Sequence, residues 1–215
     1  QERLFAKDAG LFKSEPGHQK IIRNSLGWLD LPRSMAMALG SIRALAAEAR
    51  AEGFKDAVVL VMGGSSLSCE VFRRSFPAAP GGPRLKVLDS TSPGSVAALE
   101  SSLDLRRTLF IVSSKSGSTI EPNCMMEHFF DRTSRASGAK APRQFTVITD
   151  PGSSLEKLSR SRGYRKIFLN QPDIGGRYSV LSNFGLVPAS LMGIDASKLL
   201  ERARDADLQA GLRLG

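Results

Sequence analysis

The sequence predicts an α/β protein built as a three-layer, doubly wound sheet of five parallel strands. Short apolar segments rich in Val, Ile and Phe recur along the chain, and small polar residues after each one open a helix-like stretch. Strands that are apolar along their whole length are typical of a sheet covered on both faces. Repeated alternation of strand and helix favours parallel pairing with right-handed crossovers.

The strand pattern occurs in five segments, namely 57–62, 85–88, 108–112, 144–148 and 166–169. Helices are expected after the first four strands, beginning at or near Ser66, Pro93, Thr119 and Ser153. A long helix over 35–52 is expected to lie against the sheet, and two more helices, over 180–191 and 197–212, follow the last strand. The first thirty residues are predicted to form an irregular arm.

Composition excludes several classes of protein. The chain has 215 residues, of which 41% are hydrophobic and 24% charged, which excludes a disordered or fibrous chain. The longest apolar run, 57–62, is far shorter than the ~20 residues that span a bilayer, so no membrane partner is expected. Cys69 and Cys124 lack a CxxC spacing, which excludes a disulfide scaffold and favours a reducing cytoplasm. With two histidines in the chain, a multi-histidine metal site or a self-contained Ser-His-Asp triad has little to work with, and no metal is expected. No cofactor is expected either.

The net charge of +9 is concentrated between Arg132 and Lys166, where nine basic residues stand against two acidic ones. A solvated basic face is the favoured interpretation, because no nucleic-acid-binding motif accompanies the charge, and no nucleic-acid partner is expected. Attraction of nucleic acid, or of small phosphorylated substrates, remains an alternative.

The densest group of polar residues is Ser113–Thr119, directly after the third strand and at the start of a helix. Unpaired backbone N–H groups at a helix start suit an anion. Hydroxyls and a glycine-relaxed backbone around Lys115 add to them, so the segment predicts a cradle for a phosphate monoester. The alternative is that the Ser and Thr side chains only cap the helix. The spacing is not that of a Walker A loop, so nucleoside triphosphate hydrolysis receives no support.

Two further glycine turns could contribute to the same site. Gly63-Gly64-Ser65-Ser66 follows the first strand, where paired glycines let the backbone approach a ligand and Ser65 can donate to it. Strands one and three of a doubly wound sheet often flank the point where strand order reverses, which predicts Ser65 beside Ser114. In Asp173–Ser179, two glycines before Arg177 permit a turn that aims the guanidinium into a cleft, where it would stabilise negative charge. A structural, ion-paired arginine is the alternative.

Three other polar residues are given no chemical role. Asp150 and Glu121 lie near strand ends and are interpreted as helix caps. His128 lies in the middle of a predicted helix, so we interpret it as a packing or surface residue.

The motifs, in this order, resemble the phosphoglucose isomerase family of the sugar isomerase (SIS) domain superfamily. Val112–Pro122 is similar to the family's phosphate loop, Asp173–Ser182 to its first signature, and Met62–Leu67 to its glycine-serine turn. The segments 3–8 and 26–29 look like the bacterial branch, which includes the isomerase half of transaldolase fusion proteins. Gly117 and Ser118 depart from the residues often found in the family loop. The resemblance implies a flavodoxin-like SIS fold.

The resemblance also implies residue roles. Ser114, Ser116 and Thr119 would bind the phosphate of a hexose 6-phosphate, with Lys115 contributing its backbone and charge. Gly64 and Ser65 would line the sugar. Arg177 would stabilise a cis-enediol intermediate between glucose 6-phosphate and fructose 6-phosphate. The family's general base and ring-opening acid come from a second SIS domain, a neighbouring subunit and a carboxyl-terminal tail.

The implied organisation is an amino-terminal arm and packing helix (1–54), a sugar-phosphate-binding SIS domain (55–195) and a carboxyl-terminal helix (196–215) leading to a second SIS domain. We expect a larger cytoplasmic isomerase of glycolysis and gluconeogenesis, homodimeric as a full-length protein, with the isolated fragment inactive. Fusion to transaldolase is left open. The alternative function is a non-catalytic SIS domain that senses sugar phosphates and regulates a partner.

Overall fold

The computed structural model describes residues 2–212 and contains one five-stranded sheet in which every pairing is parallel. The strands are β1 (Asp56–Val61), β2 (Arg84–Leu88), β3 (Thr108–Ser113), β4 (Phe145–Thr149) and β5 (Lys166–Leu169). Their order across the sheet is β2-β1-β3-β4-β5. The predicted doubly wound, flavodoxin-like fold class is confirmed, and each predicted strand agrees with the observed one to within one residue at either end.

Ten α-helices accompany the sheet within the described residues. They are α1 (Glu2–Phe5), α2 (Pro16–Arg23), α3 (Leu31–Ser34), α4 (Leu39–Ala51), α5 (Ser66–Ser75), α6 (Pro93–Ser101), α7 (Ile120–Ser137), α8 (Ser154–Ser161), α9 (Asn183–Leu191) and α10 (Ala196–Leu212). No helix within residues 2–212 is both long and apolar enough to cross a lipid bilayer.

Three predictions about the helices were wrong in detail. Met35–Ala38 forms a 3-10 helix, so the α-helix predicted over 35–52 begins at Leu39. The amino-terminal arm is not irregular, since it contains α1 and α2. Helix α2 starts with Pro16 and ends with basic residues, but it buries no side chain, so it has no core-facing apolar stripe for a pattern search to find. Helix α9 begins at Asn183 rather than at Val180, because the Ser182 hydroxyl accepts a hydrogen bond from the Phe184 N–H and so caps the helix.

Two hydrophobic clusters cover the two faces of the sheet and create the three layers. Alternate residues of the strands supply both clusters: Val59 and Ile111 face one side, and Val58 and Phe110 face the other. The first side is covered mainly by α4, α5, α9 and α10, and the second by α6, α7 and α8. Because both faces are buried, the polar ends of the strands are where the sheet meets solvent.

The strand order places a topological switch point between β1 and β3. The chain leaves β1 in one direction to reach β2 and continues from β3 in the other direction. Val61 pairs with Ser113, the last residues of these two strands. Loops that follow β1 and β3 therefore diverge from neighbouring points, which is where open parallel sheets bind ligands.

Candidate active site

Ser114 is the first residue after β3, and its side chain is buried at the edge of the sheet where the switch point lies. Its N–H donates to the Ile148 carbonyl of β4 over 3.1 Å. The residue is only 5% exposed, and its Oγ is buried without a hydrogen-bond partner among the described residues. An unpaired buried hydroxyl costs free energy in a folded protein. A ligand bound at this strand end would supply the missing partner.

The rest of the loop is fixed by neighbours from β4, α7 and α8. The Lys115 carbonyl accepts hydrogen bonds from the Asp150 N–H (3.0 Å) and the Thr149 hydroxyl (3.2 Å). The Gly117 carbonyl accepts from Asn123 Nδ2 (3.1 Å) and Ser154 Oγ (2.9 Å). A loop held by three elements changes shape little when a ligand binds, which lowers the entropic cost of binding.

Gly117 is required by this arrangement. It has a φ of +70°, and a Cβ atom there would lie 2.8 Å from the Leu155 nitrogen. A side chain would therefore be strained and would push α8 away from the loop. The departure from the family pattern at this position allows α8 to pack closely against the loop.

Thr119 does not act as the simple helix cap that was the alternative interpretation. It occupies the N-cap position of α7, yet its side chain accepts no hydrogen bond from the helix. Ser116 Oγ lies 2.9 Å from Ser118 Oγ and accepts from the Ser118 N–H over 3.2 Å, so these hydroxyls are organised within the loop itself. The loop thus presents hydroxyls next to the partial positive charge at the start of α7.

The turn after β1 packs directly on the turn that carries Arg177. A Cβ atom on Gly64 would lie 2.8 Å from Arg177 Cγ and 2.9 Å from the Arg177 nitrogen. A Cβ atom on Gly176 would lie 3.3 Å from Ser65 Oγ. The two turns can approach this closely because both contact points are glycines. Both glycine turns were predicted to lie near the site, but no pattern in the sequence indicates that they pack on each other.

Arg177 is exposed and makes no ion pair, because no carboxylate within residues 2–212 approaches its guanidinium within 4 Å. The alternative of a structural, ion-paired arginine is therefore not what the structure shows. The side chain borders a cavity of about 220 Å³ that is also lined by Gly64, Leu67 and Val180. The next residue in the turn, Tyr178, stacks its ring on the Trp28 ring with 5.3 Å between the ring centroids, and this contact supports the turn.

The seven predicted site residues come from three segments. Gly64 and Ser65 follow β1, and Ser114, Lys115, Ser116 and Thr119 follow β3, so the Val61–Ser113 pairing puts both segments at one edge of the sheet. Arg177 reaches the same edge through its contact with Gly64. The anion-binding groups and the unpaired guanidinium thus lie at one edge of the sheet, but the cavity beside Arg177 is lined by Gly64 and by none of the described residues of the loop after β3.

Asp150 was interpreted from the sequence as a helix cap, and that interpretation was wrong. Ser153 caps α8, accepting from the Glu156 N–H over 3.0 Å. Asp150 instead follows β4 beside the loop, with Oδ1 buried and without a hydrogen-bond partner among the described residues. Burial raises the pKa of this carboxyl from 3.8 to about 6, although the charge of Lys115 opposes the rise. Its position at a strand end was the available sequence signal.

The other two polar residues behave differently. Glu121 lies in the first turn of α7, where a negative charge complements the helix dipole, but Thr119 holds the cap position. His128 is a surface residue, as predicted, and its Nε2 lies 2.8 Å from a Glu100 carboxylate oxygen. Within the described residues, no three Asp, Glu, His or Cys side chains are grouped to hold a metal ion.

Two glucose-6-phosphate isomerases match large parts of the chain. This chain is 32% identical over 207 residues to the glucose-6-phosphate isomerase of Thermus thermophilus, and the match covers 96% of this chain and 46% of that protein. It is 35% identical over 163 residues to the glucose-6-phosphate isomerase of a Nostoc species, covering 74% of this chain and 30% of that one. The chain thus spans less than half the length of the relatives it matches.

Solved structures have the same fold. The crystal structure of a hypothetical protein from Thermus thermophilus superposes with a TM-score of 0.82 at 32% identity, covering 97% of this chain and 46% of that one. A glucose-6-phosphate isomerase from Chlamydia trachomatis superposes with a TM-score of 0.65 at 24% identity, covering 92% and 35%, and supports the fold alone.

A family model supplies the remaining comparison. The model described as phosphoglucose isomerase matches residues 41–209, which include all seven predicted site residues. That match covers well over half of the chain and confirms the resemblance drawn from the motifs. The chain belongs to the phosphoglucose isomerase family.

Proposed function

We propose that this chain is the sugar-phosphate-binding part of a glucose-6-phosphate isomerase, which interconverts glucose 6-phosphate and fructose 6-phosphate. The observation that carries the proposal is the buried, unpartnered Ser114 hydroxyl in a loop that leads into α7 at the switch point. Membership of the phosphoglucose isomerase family supports it. The reaction moves a proton from C2 to C1 and another from O2 to O1, so no atom is gained or lost.

In this proposal the loop after β3 binds the phosphoryl group. Ser114, Ser116 and Thr119 donate hydroxyl hydrogen bonds, and the N–H groups at the start of α7 add partial positive charge. Lys115 contributes backbone and side-chain charge. Asp150, with its raised pKa, limits the negative charge that faces the phosphate at mildly acidic pH.

The sugar carbons lie toward the Gly64 turn. Gly64 and Ser65 line the sugar, and Arg177 acts on the oxygens at C1 and C2. A guanidinium without a carboxylate partner is free to stabilise the negative charge that develops as the cis-enediol forms. Such an interaction is stronger in the transition state than in the bound substrate, so it raises the turnover number.

The remaining parts of the enzyme are also proposals. The general base for C2 and the acid that opens the ring belong to the part of the isomerase that this chain does not span. We propose residues 55–195 as the sugar-phosphate-binding domain, 1–54 as its packing segment and 196–215 as the link to a second SIS domain. The full-length enzyme is proposed to be a cytoplasmic homodimer of sugar-phosphate metabolism.

Steady-state kinetics of the full-length protein that contains this chain test the function. We expect isomerisation of fructose 6-phosphate, and a fall in kcat of roughly 100-fold on Arg177→Ala, because one charge-stabilising donor contributes that much. The Michaelis constant should rise much less. Arg33→Ala removes another exposed arginine, on α3, and should leave both constants unchanged.

Three results would contradict the proposal in different ways. Binding of fructose 6-phosphate without any turnover would favour the sugar-phosphate-sensing alternative. No binding and no turnover would remove both functions. A rise in the Michaelis constant alone on Arg177→Ala would leave the isomerase in place and contradict the role given to Arg177.

A further inference from the structure

A second concave site lies at the opposite edge of the sheet. The residues that precede the strands meet there, since Arg106 comes before β3, Arg143 before β4 and Arg165 before β5. Together with Lys140, they border a cavity of about 600 Å³. Because the strands are parallel, this amino edge is separated from the Ser114 loop by the length of β4, about 16 Å.

The charges in and around the cavity divide into a paired set and an unpaired set. Glu52 accepts from Arg165 through both carboxylate oxygens, each over 2.6 Å, and Glu48 accepts from the same guanidinium over 3.1 Å. Arg165 also donates from Nε to the Arg143 carbonyl over 2.6 Å, and its side chain is only 3% exposed. Hydrogen bonds from Arg165 hold the pKa of Glu52 below its usual value. The paired set therefore forms a fixed part of the cavity wall and has no positive charge left to bind an anion.

The unpaired set consists of Arg106, Lys140 and Arg143. All three are exposed, and no carboxylate within residues 2–212 lies within 4 Å of their charged groups. Three like charges around one concavity repel each other, and a multivalent anion bound between them offsets that repulsion.

The basic run from 132 to 166 supports the same assignment. Five of its nine basic residues are ion-paired with carboxylates, namely Arg132, Arg135, Arg160, Arg162 and Arg165. Six of the nine are exposed, so the predicted solvated face describes most of the run, but Arg165 is buried. Two of the four outside the ion-paired set of five, Lys140 and Arg143, border the cavity.

We propose that this cavity binds a small anion that carries two or more linked phosphoryl groups. The three cations outnumber the one carboxylate left in excess in the paired set, so the net positive charge suits such a group, and about 600 Å³ lies in the ordinary range for small-molecule sites. Charges gathered around one concavity fit a compact anion better than an extended nucleic-acid strand, whose footprint is a stripe along a surface. The site is separate from the proposed sugar-phosphate site and does not depend on it.

Calorimetric titration of the protein with tripolyphosphate tests the proposal. We expect a saturable site that is weakened at least about tenfold in the triple variant Arg106→Gln, Lys140→Gln, Arg143→Gln, because the three substitutions remove the charged hydrogen-bond donors. The matched control, Lys13→Gln, Lys20→Gln, Arg33→Gln, removes the same charge from exposed residues of the amino-terminal segment. It should change the affinity by less than about twofold.

The remaining arms separate this site from other sources of binding. The variant Ser114→Ala, Thr119→Ala should keep its affinity for tripolyphosphate, and loss of binding there would place the anion in the loop and overturn the proposal. Equal weakening in the triple variant and its control would mean non-specific charge attraction and would overturn it too. So would retention of a single-stranded RNA by the wild type without binding of tripolyphosphate.

Discussion

Two buried atoms without hydrogen-bond partners lie at neighbouring strand ends, Ser114 Oγ after β3 and Asp150 Oδ1 after β4. Proteins rarely leave polar atoms in this state, because the lost hydration is not replaced. Both residues are joined to the same loop, through the Ser114 backbone and through the bond from the Asp150 N–H to the Lys115 carbonyl. Six other buried side-chain atoms of the described residues also lack partners, so these two support a ligand site at the loop only together with its position at the switch point.

The raised pKa of Asp150 predicts a pH-dependent effect of Asp150→Asn on stability. The unfolded chain releases this proton near pH 3.8 and the folded protein near pH 6. Between these values the unfolded state binds fewer protons, so wild-type stability falls as the pH rises and stays lowered above pH 6. At neutral pH the variant should gain about 1 kcal/mol in free energy of unfolding, after allowance for solvent screening of a half-buried group.

Urea unfolding of both proteins, at neutral pH and at a pH below 3.8, measures this difference. The gain should disappear at the lower pH, where the carboxyl is protonated in both states. Asp89→Asn, at an exposed position directly after β2, serves as the matched control. A stability difference of the same size at both pH values would contradict the raised pKa.

The residue scale is also where sequence reasoning had its clearest limit. Ser114 and Thr119 were predicted because a helix cap needs one hydroxyl, whereas four Ser and one Thr surround Lys115. Asp150 was missed because its environment depends on burial by the loop, whose residues come more than thirty positions earlier in the chain. If the Asp150 carboxylate were exposed to solvent, the local sequence would be the same and the residue would be an ordinary surface aspartate.

At the scale of elements, the site depends on two turns that fit together because each has a glycine at the contact. Gly64 follows β1, Gly176 precedes Arg177, and neither has room for a Cβ atom at its ordinary contact distance. Behind them, the Tyr178 ring stacks on Trp28, and the Gly27 N–H donates to the Asp173 carbonyl over 2.9 Å. The amino-terminal segment thus supports the turn that positions Arg177.

Gly64→Ala should therefore lower activity through the position of Arg177. The added methyl group would lie 2.8 Å from Arg177 Cγ and 3.2 Å from the Gly176 carbonyl carbon, so the turn must shift. We expect kcat/KM of the full-length enzyme to fall about tenfold or more, since small displacements of a positioned group have effects of that size.

The control for this substitution is Gly40→Ala in α4. It adds the same methyl group where no atom lies within 4 Å, so activity should be unchanged and the helix slightly more stable. Wild-type kcat/KM in Gly64→Ala would mean that the contact between the turns does not position Arg177.

Local patterns predicted most of the elements, for identifiable reasons. The sheet is covered on both faces, so the apolar runs of its strands mark them to within a residue. Helix α2 was missed because it buries nothing, and the stacking of Trp28 on Tyr178 joins residues 150 positions apart in the sequence. Contacts of that kind are set by the folded sheet and not by any local pattern.

At the scale of the whole molecule, the two edges of one sheet carry different chemistry. The carboxyl edge holds the Ser114 loop and the Arg177 turn, and the amino edge holds the cavity bordered by Arg106, Lys140 and Arg143. The three central strands between them, β1, β3 and β4, are buried along their whole length. The same parallel arrangement that predicted the fold class therefore also determines which residues can share a site.

The most direct test of the central claim is the affinity of the full-length protein for fructose 6-phosphate, measured by calorimetry in the wild type and in Ser114→Ala, Thr119→Ala. If the loop after β3 binds the phosphoryl group, the affinity falls at least about tenfold, since two hydrogen bonds to a charged group are lost. Thr91→Ala, Ser95→Ala, which removes two exposed hydroxyls after β2, should have no effect. An unchanged affinity in Ser114→Ala, Thr119→Ala would show that the phosphate binds elsewhere.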